Sequence, residues 1–370
     1  MKIILFFAVS RCMNAQASST SIQIVDIVRK SFLVTLLISG LAGMALAEPD
    51  RMPNIILVVL DTVRADCVDF FDPEAGPTPV LAKLAQQGYV YTGTLSTYDH
   101  TIPSHFSIFT GLRYFYPSYG KKQPLDVPAN SLPHHLNEQG YYTVGVSANY
   151  LLTPNTSTIA YLKPFQRFRC LWEERPVETI LSTPAFLGRV KSVLDRYDAP
   201  MTERNVRMIM ADGTDVVEAT SEELAKAPGD KPLFLFVNFM DAHAPYFPPE
   251  ETYRLADEKP LLDFYSDYRT RYVPPWETLV KDEQELAALR YRAGQAYAPY
   301  LCAVDLGKEH LARYRSRYEA CIRHLDSQLG RLFAILQERR LLESSIVVIT
   351  ADHGEAFGED GFIGHGFHDK

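Results

Sequence analysis

The twelve residues from His100 to Gly111, HTIPSHFSIFTG, place a threonine, a proline, a serine and a histidine ahead of an apolar run. Proline suits the first turn of a helix, where its missing N–H costs no hydrogen bond, so Pro103 predicts a helix that begins near Thr101. The free N–H groups and the dipole at such a helix end favour an anion. Two interpretations stay open from this stretch alone: Thr101 or Ser104 merely caps the helix, or Thr101 does chemistry there.

Carboxylates and an imidazole follow two other apolar runs. Asp61 follows the run NIILVVL, and Asp352 and His353 follow the run SIVVIT with one alanine between. Two carboxylates and one imidazole form a mixed set suited to Zn²⁺ or Mn²⁺, with Thr101 as a fourth ligand. A cation at the Thr101 hydroxyl would lower its pKa and make it a nucleophile. Each residue also has an ordinary alternative, because an aspartate after a strand often caps the next helix.

Two further histidines, His243 and His365, are candidates for the same site. His243 follows the apolar run LFLFVNF within the segment MDAHAPY, and His365 lies in the glycine-rich tail GHG. Both are suited to binding an anionic substrate or to protonating a leaving group.

The elements that must position these residues alternate along the chain. The unbroken apolar runs are typical of strands buried on both faces of a parallel sheet. Helical patterns lie between them, which predicts an α/β fold with a doubly wound, mostly parallel sheet sandwiched by helices. Ligands bind at the carboxyl ends of the strands in such sheets. The segment Phe165–Tyr197 has no clean period and is interpreted as an insertion. Predicted strands cover 54–60, 89–95, 142–147, 233–239 and 345–350; predicted helices cover 78–87, 132–139, 214–225, 283–295 and 311–339.

The first 47 residues have the pattern of a secretory signal peptide. Two basic residues precede the apolar run Phe32–Leu41, and Ala45-Leu46-Ala47 is an A-x-A cleavage site. The apolar run is short for a bilayer span, with an uncleaved anchor as the alternative. We therefore expect a secreted or periplasmic protein, a catalytic domain over residues 48–370, and no stable membrane span after cleavage.

The acidic charge of the chain argues against one class of partner, and its cysteines leave the disulfide pairing open. The formal net charge is −8 and the chain has no basic stretch, which argues against a nucleic acid as the main partner. Four cysteines would remain after signal cleavage, and export permits disulfides, but the spacing fixes no pairing. These cysteines are Cys67, Cys170, Cys302 and Cys321.

Several segments, taken in order, resemble the sulfatase family of the alkaline phosphatase superfamily. The resemblance runs from about residue 53 to the end of the chain. It implies an alkaline phosphatase-like fold and metal-dependent cleavage of a sulfuric or phosphoric ester. The segments are Asn54–Asp61, Thr78-Pro79 with the helix after it, Thr101–Gly111, MDAHAPY, Leu325-Asp326 with Leu329-Gly330, and ITADHGE.

Departures from the family pattern point to one branch of it. Family sulfatases carry C-x-P-S-R, whose cysteine becomes formylglycine; here Thr101 replaces the cysteine and His105 the arginine. Thr62 stands where sulfatases tend to have a second aspartate. The lysine and histidine expected around residues 147–150 are absent, and His365 replaces a lysine.

These departures resemble phosphotransferases and phosphodiesterases such as lipoteichoic acid synthases, which use a threonine nucleophile. By that likeness Thr101 forms a covalent phospho-enzyme at the carboxyl edge of the sheet. The candidate catalytic residues are then Thr101, His105, His243 and His365, and the candidate metal ligands are Asp61, Thr101, Asp352 and His353.

We therefore expect an exported, metal-dependent hydrolase or transferase that cleaves a sulfate or phosphate ester through Thr101, with the phosphorus ester slightly favoured. The expected metal is Mn²⁺ or Zn²⁺, with Ca²⁺ or Mg²⁺ as alternatives. The expected substrate is an anionic ester of a glycan, a lipid or a small molecule. The alternatives are a true sulfuric ester hydrolase and a non-catalytic domain that binds a metal or an anion. The second arises because relatives continue past the Asp-His motif, so we expect the C-terminal part to be missing after Lys370.

Overall fold

The computed structural model describes residues 2–6, 52–72, 76–113, 131–155, 159–197, 199, 201–253, 307–359 and 363–365. Its strands are β1 (Lys2–Phe6), β2 (Asn54–Leu60), β3 (Tyr89–Tyr91), β4 (Tyr142–Ser147), β5 (Arg167–Cys170), β6 (Leu233–Phe239), β7 (Ser345–Thr350), β8 (Ala356–Phe357) and β9 (Ile363–Gly364). Its helices are α1 (Pro79–Gln86), α2 (Thr101–Thr110), α3 (Leu132–Glu138), α4 (Leu171–Glu174), α5 (Val177–Ser182), α6 (Pro184–Tyr197), α7 (Glu203–Ile209), α8 (Gly213–Leu224) and α9 (Gly307–Glu338).

Seven of the strands form one sheet in the order β3-β1-β7-β2-β6-β4-β5. Every pairing within this sheet is parallel, and β8 and β9 form a separate antiparallel pair. The predicted α/β class with a mostly parallel sheet is therefore confirmed. Parallel order brings the carboxyl ends of β2, β6, β4 and β7 to the same edge.

The apolar run of β2 is unbroken because the strand is buried on both faces. Ile56, Val58 and Leu60 belong to an apolar cluster that contains residues of α9, α8 and α1. Leu57 and Val59 belong to a second cluster that contains residues of α2 and α3. Successive side chains of a strand point to opposite faces, so the sheet lies between two helical layers.

The prediction of an insertion over Phe165–Tyr197 is wrong. Residues 167–170 form β5, which pairs with β4 at the edge of the sheet, and helices α4, α5 and α6 follow. The strand pattern is obscured because arginines alternate with Phe168 and Cys170. Arg167 pairs with Glu223 of α8, and Arg169 pairs with a glutamate of α4.

The predicted signal peptide contains a strand of the sheet. β1 lies between β3 and β7, with Ile3 and Leu5 buried. Gly88 meets this strand so closely that a Cβ there would lie 2.5 Å from the Ile3 carbonyl oxygen. The apolar run and the cleavage site lie outside the described residues. Cleavage after Ala47 therefore stays a prediction, and it would separate β1 from the rest of the chain.

Two further predictions, one about a helix and one about the cysteines, fall partly outside the residues that the structure describes. The helix over 283–295 and Cys302 lie outside it, whereas Cys67, Cys170 and Cys321 are buried free thiols. Across the described residues, no helix combines the length and apolar character needed to cross a bilayer.

An aspartate of α9 holds the start of α1. The carboxylate of Asp326 accepts hydrogen bonds from Val80 N at 3.0 Å and Leu81 N at 2.8 Å. These amides belong to the first turn of α1 and have no partner within their own helix. The Leu325-Asp326 motif therefore joins two helices of the layer that covers β2.

We expect Asp326→Ala to lower the free energy of unfolding by about 2 kcal/mol, because it removes hydrogen bonds from two amides to a charged group. Urea denaturation followed by circular dichroism measures the change. The matched control is Ser327→Ala on the exposed side of α9, where we expect a change within about 0.5 kcal/mol. Equal effects of both substitutions would contradict the capping role.

Candidate active site

Two neighbouring strands carry the predicted metal ligands to one place. β2 and β7 pair in register, with Val59 opposite Thr350, so the residues after both strands meet. One ligand atom from each of Asp61, Asp352 and His353 lies within 4.8 Å of the others, and all three residues are buried. His353 Nε2 lies 3.4 Å from Asp352 Oδ2 and 3.9 Å from Asp61 Oδ1.

This group has the properties of a cation site. Asp61 Oδ1 and Asp352 Oδ2 are buried and lack a hydrogen-bond partner among the described residues. Burial raises the pKa of both carboxyl groups to about 7, and the charge of Asp352 adds to the shift at Asp61. Buried carboxylates are costly unless they are paired or coordinate a metal. Two carboxylate oxygens and an imidazole nitrogen therefore fit a divalent cation.

Thr101 is the first residue of α2, next to this group. Its Oγ1 lies 3.4 Å from His353 Nε2. The first interpretation of the sequence, a simple cap, is not what the structure has. His100 occupies the N-cap without a side-chain hydrogen bond to the helix, and the Ser104 hydroxyl donates to Tyr98 O instead. The Thr101 hydroxyl is thus directed towards the acidic group and not to the helix backbone.

Asn149 also belongs to the site, although its uncharged side chain did not mark it in the sequence. Its side-chain amide donates to Asp61 Oδ2 at 2.7 Å and to Thr101 Oγ1 at 3.5 Å. The Asn149 Oδ1 accepts from Leu151 N, which fixes the orientation of the amide. Its position two residues after the end of β4 was the available signal, since that strand ends at the same edge of the sheet.

His365 lies beside His353 of the acidic group and near two further histidines. Its ring centroid lies 4.5 Å from that of His353, 4.9 Å from that of His243 and 6.2 Å from that of His100. His365 Nδ1 lies 2.9 Å from Glu355 Oε1. The sequence interpretation included His365, His353 and His243 but not His100, which had no strand end to mark it.

The histidines differ in charge because their surroundings differ. Burial lowers the pKa of His243 well below its ordinary value and that of His100 to about 4, so both rings are neutral at pH 7. Burial also acts on His365, but the adjacent Glu355 carboxylate outweighs it and raises the pKa to about 9. His365 is therefore the imidazole of this group that carries a proton to donate.

His105 lies in the apolar interior next to the site. It is fully buried one turn after Thr101, with its ring near Phe109 and Phe236. Its Nδ1 lies 3.0 Å from the backbone oxygen of Thr101, and burial lowers its pKa to about 3. A neutral ring in this position donates to the backbone that carries Thr101. His105 Nδ1 also lies 3.5 Å from Asp352 Oδ2, and the predicted catalytic role of His105 stays a prediction.

Thr62 ties the strand ends together where sulfatases tend to have a second aspartate. Its N–H donates to Asp352 Oδ1, and its hydroxyl lies 2.7 Å from the carbonyl oxygens of Asp61 and Ala242. Its φ of 61° lies in the left-handed region, and the Tyr318 hydroxyl donates to its carbonyl. Thr62 therefore positions the loops that follow β2, β6 and β7.

A buried Asp, Asp, His group at the carboxyl edge of a parallel sheet, beside a hydroxyl at a helix start, is typical of metal-dependent hydrolases. The family model for Sulfatase matches residues 53–370. The chain therefore belongs to the sulfatase family, as its motifs predicted.

Known proteins agree with this assignment at low identity. The chain is 23% identical to an arylsulfatase of Clostridium perfringens, over 85% of this chain and 65% of that protein. It is 22% identical to the iduronate 2-sulfatase of Mus musculus, over 83% of this chain and 55% of that protein. The chain thus spans less than two thirds of the length of these relatives.

A solved structure shares the fold. The phosphonate monoester hydrolase of Agrobacterium radiobacter superposes with a TM-score of 0.57 at 21% identity. The match covers 86% of this chain and 66% of that one. This likeness confirms the alkaline phosphatase-like architecture.

Proposed function

We propose that the protein cleaves an anionic phosphate or phosphonate ester through Thr101 as the nucleophile, with a divalent cation held by Asp61, Asp352 and His353. The observation that carries the proposal is the place of the Thr101 hydroxyl. It starts a helix, makes no capping bond and lies beside an acidic group with two orphaned oxygens. Mn²⁺ and Zn²⁺ suit this mixed donor set best, ahead of Ca²⁺ and Mg²⁺.

The cation, when bound, lowers the pKa of the hydroxyl beside it and offsets charge on the ester oxygens. Asn149 orients both Asp61 and Thr101 through its side-chain amide. The hydroxyl proton of Thr101 leaves to solvent, and Oγ1 forms a bond to phosphorus. The bond from phosphorus to the leaving oxygen then breaks, and that oxygen takes a proton from His365. His365 recovers a proton from solvent.

The second half of the reaction releases the group from Thr101. Water attacks phosphorus as the bond between phosphorus and Thr101 Oγ1 breaks, one proton of the water passes through solvent to Oγ1, and the free acid leaves. His243 is a neutral imidazole whose Nδ1–H donates to Ala244 O, so its Nε2 accepts a hydrogen bond from the attacking water. His105 acts as a positioning residue through the Thr101 backbone.

The test is turnover of four matched nitrophenyl esters: phosphate monoester, phosphate diester, phosphonate and sulfate. Each is assayed with added Mn²⁺ or Zn²⁺ and again after chelation. We expect chelator-sensitive cleavage of a phosphorus ester, because a threonine alkoxide is the nucleophile of the phosphotransferase branch that the motifs resemble.

Two other results of this assay would contradict the proposal. Preference for the sulfate ester would replace the proposal with a sulfuric ester hydrolase, as the names of the curated relatives suggest for those proteins. No cleavage of any ester by protein that holds its metal would favour a domain that only binds the metal or an anion. The natural substrate that we propose is an anionic ester of a glycan, a lipid or a small molecule.

We also propose export through the N-terminal segment, with the mature chain in the periplasm or outside the cell. The basic residues before the apolar run Phe32–Leu41 and the Ala45-Leu46-Ala47 site support it. The N-terminal sequence of the protein recovered from the periplasm of a producing cell tests the cleavage site.

A further inference from the structure

A cavity of about 280 Å³ lies beside the loop that follows β6. Met240, Asp241 and Pro245 line it from this loop, and residues of α6, α7 and α9 complete it together with residues 211–212 and 247–251. The loop also carries His243, but neither His243 nor any of the three proposed metal ligands lines the cavity. It is therefore a separate space from the ester site.

One buried carboxylate in this cavity has an unused oxygen. Asp241 Oδ1 accepts a hydrogen bond from Gly213 N at 2.8 Å and lies 3.6 Å from His324 Nε2. Asp241 Oδ2 is buried and has no hydrogen-bond partner within the described part of the chain. Asp241 joins the loop to the start of α8 through Oδ1 alone. Its Oδ2 takes no part in that contact.

The charge of the cavity favours a cation over an anion. The described residues that line it include four carboxylates and two arginines. Arg189 is paired with Asp212 and Asp215, both at 2.7 Å, and Arg196 lies 3.8 Å from Glu250. Among the residues that the structure describes, no arginine or lysine forms a comparable pair with the Asp241 carboxylate.

The rest of the lining is largely apolar. Met208 and Ile209 of α7, with Met240 and Phe247, form walls that bind methylene groups or a ring. A hydrogen-bond donor that reached Asp241 Oδ2 would gain a charge-assisted bond in a desolvated place, where such bonds are strong.

We propose that this cavity binds a small molecule with a protonated primary amine and an apolar body, the amine on Asp241 Oδ2 and the body against Met208, Ile209 and Phe247. The ligand would contact the same loop that positions His243. The site is additional to the proposed ester site and does not depend on its chemistry.

Calorimetric titration of the full chain, with metal removed by chelation, tests the proposal with phenethylammonium as the probe at pH 7.5. Burial raises the pKa of Asp241 to about 6, so the carboxylate is ionised at this pH. The matched ligands are 2-phenylethanol and 3-phenylpropanoate, which keep the ring and change only the head group. We expect saturable binding of the amine and at least about tenfold weaker binding of the alcohol, since a charge-assisted bond is lost.

Variants separate the cavity from the ester site. Asp241→Asn keeps an acceptor for Gly213 and loses the charge, so amine affinity should fall by about tenfold or more. Met208→Trp places a larger side chain in the lining of the cavity and should abolish binding even if Asp241→Asn fails to fold. The control Glu251→Gln, an exposed carboxylate of the rim, should change affinity by less than about threefold.

Three results would overturn the proposal. They are no amine binding, equal binding of amine and alcohol, and unchanged amine binding in Met208→Trp. Thr101→Ala should leave amine binding as it is, because that residue does not line the cavity. Failure of the ester proposal and failure of this one are therefore distinguishable.

Discussion

Replacement of Thr101 by alanine is expected to lower turnover of the preferred ester on the order of 10⁴-fold or more, because the nucleophile itself is removed. The fold should persist, since the hydroxyl makes no capping bond and its contacts at 3.4 Å and 3.5 Å are long. Single-turnover kinetics with the nitrophenyl ester measure the loss. Mass spectrometry of acid-quenched wild-type protein should show one phosphoryl or phosphonyl group on Thr101.

Two further variants make this test specific. Thr101→Ser keeps a hydroxyl at the same position and should retain measurable turnover and the covalent adduct. Thr110→Ala removes a half-buried threonine hydroxyl from the other end of α2, where it donates to Phe106 O. That control should leave turnover nearly unchanged. Turnover in Thr101→Ala close to that of the wild type would exclude Thr101 as the nucleophile.

Strands buried on both faces were predictable from the sequence because each is a continuous run of apolar residues, which is a local pattern. β2, β4, β6 and β7 have the predicted bounds, since no solvent-facing position interrupts their apolar runs. β5 was missed because it is an edge strand whose arginines pair with glutamates, among them Glu222 and Glu223 of α8. β1 was missed because pairing with β3 and β7 is a long-range property, whereas its apolar residues fit a leader equally well.

The candidate site was predictable where chemistry and strand ends coincide. Asp61, Asp352 and His353 follow adjacent parallel strands, so their meeting follows from topology. Asn149 has no charge to mark it, and its role arises from two hydrogen bonds that only the folded chain brings about. His105 lies in a motif that suggests catalysis, and the fold buries its ring near Phe109 and Asp352, where its role stays a prediction.

The second large effect is expected at Asp352. Asp352→Asn should reduce bound Mn²⁺ or Zn²⁺ to less than about a tenth of the wild-type content, because it removes one of two carboxylates from a three-residue site. Metal per chain by plasma mass spectrometry measures the loss. The wild-type protein should also be stabilised by about 2.7 kcal/mol when the free metal is 100 times its dissociation constant. Asp352→Asn should lose most of that stabilisation.

The control for Asp352 is Asp66→Asn, a carboxylate near the same loop that is paired with Arg64 and partly exposed. It should keep both the metal and the stabilisation, because no atom of it belongs to the buried group. Unchanged metal content in Asp352→Asn would mean that the cation binds elsewhere. Protonation would then be the way in which Asp61 and Asp352 avoid two buried charges, since burial raises the pKa of both carboxyl groups to about 7.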